Sequence, residues 1–312
     1  MAENDSLIQN LTHEDVAERK KAVFAVGEKK IKEAVPVLIE LLEKDSDSVV
    51  RNSAARSLGK IADKSQADPV IEALNKALND SDYYVKTNAC WSLGKLKDPR
   101  AIPALMRMVD PKQRIYTMGG DAKKMEGASG SMASENLRQE GMQFSDIIVK
   151  AINAIGEIGN KEGVPALFTA LGDEEDGTVR CAACLALGKI GDPAAVPELI
   201  KALEDKYWYV RRDAAKALLK FKDPRAAPAL VNKLNDMYNE VKEFSLKALL
   251  EIGKPAGLYI FQAYLKDTKN PVLQQFITKN LTKDDIKGYL AELLEKEEDP
   301  SKKAIFQAYL QK

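Results

Sequence analysis

Small and apolar residues recur along this chain in a nine-residue phrase. Arg51–Gly59 reads RNSAARSLG, Lys86–Gly94 KTNACWSLG, Arg180–Gly188 RCAACLALG, Arg211–Leu219 RRDAAKALL and Lys242–Leu250 KEFSLKALL. Arg19–Gly27 (RKKAVFAVG) and Ile148–Gly156 (IVKAINAIG) are weaker copies. The phrases end at 27, 59, 94, 156, 188, 219 and 250, so a period near 31 residues runs through most of the chain, with one double interval of 62. Apolar positions inside each phrase follow helical spacing, and the terminal Gly suits a helix C-cap. Then comes a short turn, often Asp-Pro (Asp98-Pro99, Asp192-Pro193, Asp223-Pro224), and a second apolar helix with Pro in its first turn, as in Val35-Pro36-Val37-Leu38 and Val164-Pro165-Ala166-Leu167. Proline is tolerated there because first-turn N–H groups have no intrahelical partner. Acidic turns such as Asp45-Ser46-Asp47 and Asp80-Ser81-Asp82 lead into the next phrase, and their oxygens are expected to cap its helix.

One helix pair of this size cannot bury its apolar face alone, so neighbours must stack. The V-[RK]-x-x-A-A-x-A-L-G phrase and the x-V-P-x-L helix resemble the short HEAT-like repeats of the phycobilin-lyase relatives, over roughly residues 14 to 266. The resemblance implies an all-α fold, an α-solenoid forming a right-handed superhelix of about eight helix pairs, as one domain over 1–312. Residues 271–312 keep helical periodicity (Leu273, Phe276, Ile277; Ile286, Tyr289, Leu290, Leu293, Leu294; Ile305, Phe306, Tyr309) but lose the phrase, and read as a degenerate capping repeat. Residues 111–143 break the pattern with Gly119-Gly120 and Gly127-Ala128-Ser129-Gly130 and carry Met118, Met125, Met132 and Met142. They read as an irregular Gly/Met-rich insertion, re-entering helix near Ser134–Met142; Gly119-Gly120 lacks the spacing and Lys-Ser/Thr of a phosphate loop.

Composition then narrows the function. With 47 basic and 47 acidic residues there is no global field to hold a polyanion, so nucleic acid is not favoured. No apolar run reaches the about 18 residues that span a bilayer, and three cysteines argue against a disulfide framework; the expected compartment is cytoplasmic. His13 is the sole histidine, so neither a Ser/His/Asp or Cys/His set nor the His-Glu pairs of the deoxyhypusine hydroxylases can assemble. Cys181-Ala182-Ala183-Cys184 has C-x-x-C spacing, yet Cys184 and Cys90 fall at the small buried position held by Ala55 and Ala215; Cys181 shares the register of Arg212. No cofactor, metal or catalytic residue is expected.

The few aromatics point elsewhere. Tyr83 and Tyr84, and Tyr207, Trp208 and Tyr209, open the first helices of their repeats. Trp91 occupies an outward register shared with Phe24, Arg56, Asn153, Leu185, Lys216 and Lys247, next to a register holding Asn88, Arg212 and Asp213. In the resembled family this face of the first helix is similar to the usual partner-binding surface. The expected site is therefore Tyr83, Tyr84, Asn88, Trp91, Leu185, Trp208, Tyr209, Arg212, Asp213 and Lys216, on a non-enzymatic scaffold gripping a protein partner along a concave stripe. A bilin-lyase-like enzyme or tetrapyrrole chaperone is the alternative that the resemblance raises, and a nucleic-acid-binding HEAT-like protein the third. The sequence does not specify the partner or the oligomeric state.

Overall fold

A computed structural model of the chain describes residues 2–63, 66–110, 131–173, 176–266 and 269–296, with 300, 303 and 307. Among them there is no strand; the fold is an all-α solenoid of helix pairs. The chain divides into two compact units, Met1–Ala195 and Val196–Lys312, where the sequence suggests one domain. In a repeat array each helix pair contacts only its neighbours, so compactness is local.

In the first unit, α1 (Ala2–Asn10) precedes four pairs: α2 (Val16–Lys29) with α3 (Val35–Lys44), α4 (Ser48–Ile61) with α5 (Ala67–Ala77), α6 (Tyr83–Leu96) with α7 (Ile102–Val109), and α8 (Ser131–Ile158) with α9 (Val164–Leu171). The unit ends with α10 (Gly177–Ile190). The second unit holds α11 (Val196–Ala202), α12 (Trp208–Phe221), α13 (Ala227–Asn232), α14 (Asn239–Ile252), α15 (Gly257–Lys266), α16 (Pro271–Asn280) and α17 (Lys283–Lys296). Short 3-10 turns precede most second helices, and Asp98 and Asp223 cap two of them through the amides of Arg100 and Arg225. Pro36, Pro103, Pro165 and Pro228 then stand in the first turns of α3, α7, α9 and α13.

The phrase residues form the core. Val50, Ala54, Ala55 and Leu58 of α4 and Val85, Ala89, Cys90 and Leu93 of α6 are fully buried. Burial holds Cys90 as a neutral thiol, its pKa pushed up to about 12. Cys184 is likewise buried at its register and Cys181 half-buried.

The phrase-ending glycines are not C-caps, which corrects the sequence expectation. Gly27, Gly59, Gly94 and Gly156 lie inside their helices, where the next first helix passes. A Cβ on Gly59 would stand 2.3 Å from Ser92 Oγ and 2.7 Å from Ser92 Cα; one on Gly94 would stand 3.0 Å from Ala154 Cα, and one on Gly156 2.9 Å from Ala186 Cα. Ser57 and Ser92 donate across the seam to the carbonyls of Val23 (3.1 Å) and Ala55 (2.7 Å). The left-handed cap position falls instead to Lys30, Lys97 and Lys222, with φ of 52°, 54° and 52°, and to Gly191 at 73°.

The interruption ends in helix. α8 is one continuous helix of 28 residues from Ser131, so helix resumes three residues before the re-entry expected near Ser134 and covers 131–143 of the expected insertion. Gly119-Gly120, Met118 and Met125 lie outside the described residues, as do Ile305, Phe306 and Tyr309 of the expected cap. Within that cap, Leu273, Ile277, Leu290 and Leu293 are buried. Thr282 and Asp285 exchange side-chain-to-amide bonds (3.1 and 2.9 Å) at the start of α17, a reciprocal capping box.

Two substitutions test the seam and the cap. Gly59→Ala should cost about 1–3 kcal/mol by forcing α4 from α6, whereas Lys97→Gly should gain up to about 1 kcal/mol by relieving the left-handed backbone. Urea unfolding followed by circular dichroism reads both, and a neutral Gly59→Ala would contradict the close approach.

Candidate partner-binding face

The face is set by the turns that aim the first helices. In the Asp-Ser-Asp turns the second carboxylate is the N-cap: Asp47 accepts the amides of Val49 and Val50, and Asp82 those of Tyr84 and Val85. The first carboxylate meets an arginine of the preceding first helix. Arg51 grips Asp80 through Nε (2.8 Å) and Nη2 (2.9 Å), and Arg19 grips Asp45 likewise (2.7 and 3.1 Å). In the second unit Arg211 grips Asp236 (2.7 and 2.9 Å). The free Nη1 of each arginine donates to a carbonyl of its own entry turn: His13 and Glu14, Asp45 and Ser46, Asp205 and Lys206. Each guanidinium thus ties one inter-repeat turn to the next, with the bidentate geometry that suits Arg to carboxylates.

These forks leave a defined outward register. In the first unit α2, α4, α6, α8 and α10 pack side by side in that order, and the register reads Phe24, Arg56, Trp91, Asn153 and Leu185. Phe24 is 65% exposed and Arg56 is exposed; Trp91, Asn153 and Leu185 are half-buried. The Trp91 ring lies 5.4 Å from the Arg56 guanidinium and 5.8 Å from Lys95 Nζ. Alongside, Asn88 donates to Asn52 Oδ1 and to the Tyr84 carbonyl. Tyr84 is 61% exposed. Tyr83 serves the framework: its hydroxyl donates to Asp146 of α8, and burial together with that carboxylate pushes the phenol up to about 12.

The second unit departs from this arrangement. Its outward register is Lys216 on α12 and Lys247 on α14, both exposed, with the Phe244 ring 5.8 and 5.3 Å from their ammonium groups. Trp208 is not on that register but two turns earlier, at the start of α12. There it stacks on Tyr238 (5.1 Å between centroids), meets Tyr209 edge-on at 6.0 Å and carries the Arg212 guanidinium 5.3 Å from its ring. Tyr209 stacks on Tyr207 at 5.3 Å. Asp213, expected on the surface, is 2% exposed and bonds Arg212 through both oxygens (2.7 and 3.1 Å). Its carboxylate positions Arg212 rather than facing solvent.

Sequence reading passed over Phe24, Arg56 and Lys95 as site residues, and Tyr238 and Phe244 altogether. One signal was available: Tyr207 and Tyr238 stand at the N-cap positions that Asp47 and Asp82 fill in other repeats, and neither makes a side-chain capping bond. His13, the one imidazole, is exposed and accepts the Asp15 amide at 3.0 Å in the turn before α2. Among the described residues no three His, Cys, Asp or Glu side chains cluster as a metal would require, and no helix is long and apolar enough to cross a membrane.

This is a solenoid of stacked helix pairs with a variable outer register. The chain belongs to the HEAT-repeat family: the family model of HEAT repeats matches residues 4–76, 65–117, 143–218 and 196–282. Among solved structures it is similar to the complex of CpcE and CpcF of phycocyanin lyase from Nostoc sp. PCC7120, at 24% identity over 88% of this chain and 92% of that one, with a TM-score of 0.45. It is also similar to human deoxyhypusine hydroxylase in complex with glycerol (19% identity, 90% and 95% covered, TM-score 0.36) and to a designed armadillo repeat protein (20%, 80% and 99%, TM-score 0.39). No curated protein matches the chain in sequence.

The forks carry a pH dependence. Burial pushes the Asp80 carboxyl up, but the Arg51 fork and the Asp82 amide outweigh it and hold it below the usual range; the Arg211 fork does the same for Asp236. A carboxylate depressed in the folded state stabilises fully above its unfolded value, about 3.9, and loses that contribution as pH falls through the folded value. Asp80→Asn should therefore cost about 1–3 kcal/mol near neutrality and progressively less below about pH 4. Parallel urea titrations of both proteins across that range check it; a pH-independent difference would remove the ionic account.

Proposed function

We propose that the chain is a non-enzymatic scaffold that grips a protein partner along the outward face of its first helices. The observation that carries this reading is the aromatic content of one register. Arg56, Asn153, Lys216 and Lys247 show that repeat packing there is satisfied by polar and charged residues, yet Phe24 is 65% exposed and Trp91 stays at the surface under two cations. Stacking does not require apolar rings at these positions. Large aromatics in such a setting act as binding anchors, each worth about 2 kcal/mol or more when a partner covers it. The Trp208–Tyr238 stack is a second group of surface aromatics within the other unit. Capping, pairing or burial accounts for His13, Cys90 and the turn aspartates, which supports binding rather than catalysis.

The Phe24→Ala/Trp91→Ala variant should keep its helical circular dichroism and lose at least about tenfold in capture of the polypeptide that the wild-type chain retains from its native lysate. Trp208→Ala should weaken capture through the second unit. Unchanged capture by the double variant would overturn the placement of the surface.

A further inference from the structure

The chemistry of the cations around Trp91 identifies the kind of partner. At or just past the ends of several first helices, lysines are matched to carboxylates of a neighbouring repeat: Lys60 to Glu28, Lys189 to Glu157 and Lys222 to Glu251. Arg56 and Lys95 are not matched in this way. Among the described residues neither has a carboxylate at ion-pair distance, and each lies by the Trp91 ring instead. Glu28, within longer electrostatic reach of Arg56, and Glu157, within longer reach of Lys95, are already bonded to Lys60 and Lys189. The second unit holds half of this motif: Lys216 lies beside Phe244 without a carboxylate at ion-pair distance among the described residues, while Lys247 at the same ring is paired with Glu243.

A ring below a cation does not neutralise it. At an exposed site the attraction is about 0.5–1 kcal/mol, enough to restrain the long side chain but not to discharge it. Arg56 and Lys95 are thus positive charges held beside one apolar ring, with part of their ordering cost met before any partner arrives. Phe24 offers a further exposed ring on the same register. The complement of this pattern is a polypeptide stretch in which carboxylates flank an apolar side chain. A polyphosphate fits it less well: Glu28 on α2 and Glu157 on α8 lie within electrostatic reach of the two cations, and the chain balances 47 basic residues with 47 acidic ones.

Resting on the scaffold reading and extending it, we propose that the face around Trp91 binds an acidic protein segment. Its carboxylates pair with Arg56 and Lys95 while an apolar side chain packs against Trp91.

Fluorescence anisotropy on the full chain tests this with three labelled probes: a peptide of Asp and Glu around a central Phe, the same peptide with Asn and Gln, and oligothymidylate. The acidic peptide should bind roughly tenfold or more tighter than its amide twin and weaken as salt is raised. Arg56→Glu/Lys95→Glu, both at exposed positions, should abolish the preference while circular dichroism stays unchanged. Equal binding of the two peptides, a preference that survives the charge reversal, or oligothymidylate binding as well as the acidic peptide would each overturn the proposal, the last in favour of nucleic acid. Native-partner capture separates this from the scaffold reading. If Phe24→Ala/Trp91→Ala loses capture and the charge-reversed chain keeps it, the scaffold stands and the acidic partner falls.

Discussion

Successive first helices in the first unit approach so closely that one side of each seam must be nearly bare. Gly27 faces Ser57, Gly59 faces Ser92, Gly94 faces Ala154 and Gly156 faces Ala186, each so closely that an added Cβ would force the neighbour to shift. At this distance a serine hydroxyl reaches the backbone carbonyl of the neighbouring helix, as Ser57 and Ser92 do. The small residues of the phrase therefore set the spacing of the repeats, while Val, Leu and Ile fill the space between first and second helices. Loss of the seam would loosen the forks and the outer register together, since both depend on the same helix placement.

The arginine forks act at the other end of each helix. Arg19, Arg51 and Arg211 each join two consecutive turns through four or more donated hydrogen bonds, on partly buried carboxylates where charge-assisted bonds are strong. With the seam fixing one end and the fork the other, the outward register carries little structural duty. That freedom explains how Phe, Arg, Trp, Asn, Leu and Lys all occupy it, and why its chemistry is the place to look for function.

The N-cap positions follow the same division. Asp47 and Asp82 cap their helices, worth about 1 kcal/mol each, whereas Tyr207 and Tyr238 forgo the bond. In their place the second unit gains a packed group of rings around Trp208. A local rule broken in two consecutive repeats marks a position where surface chemistry outweighs helix stability.

The near-31-residue period, the helix pairs, the first-turn prolines and the buried register of Ala55, Cys90 and Cys184 were legible in the sequence, because helical periodicity and proline chemistry are local properties. The role of the terminal glycines was not. A glycine near a helix end reads as a cap, and only the passage of the next helix at 2.3 Å from a notional Cβ shows it to be a contact. The same limit hid which aspartate each arginine meets, since Asp80 lies 29 residues beyond Arg51. It hid the burial of Asp213 and the pairing of Arg56 with Trp91 as well. The sequence by itself determined the repeat and its core. Tertiary structure alone decided which polar side chains are consumed by neighbouring repeats and which stay charged at the surface, because that depends on distances between helices about one repeat apart in the chain.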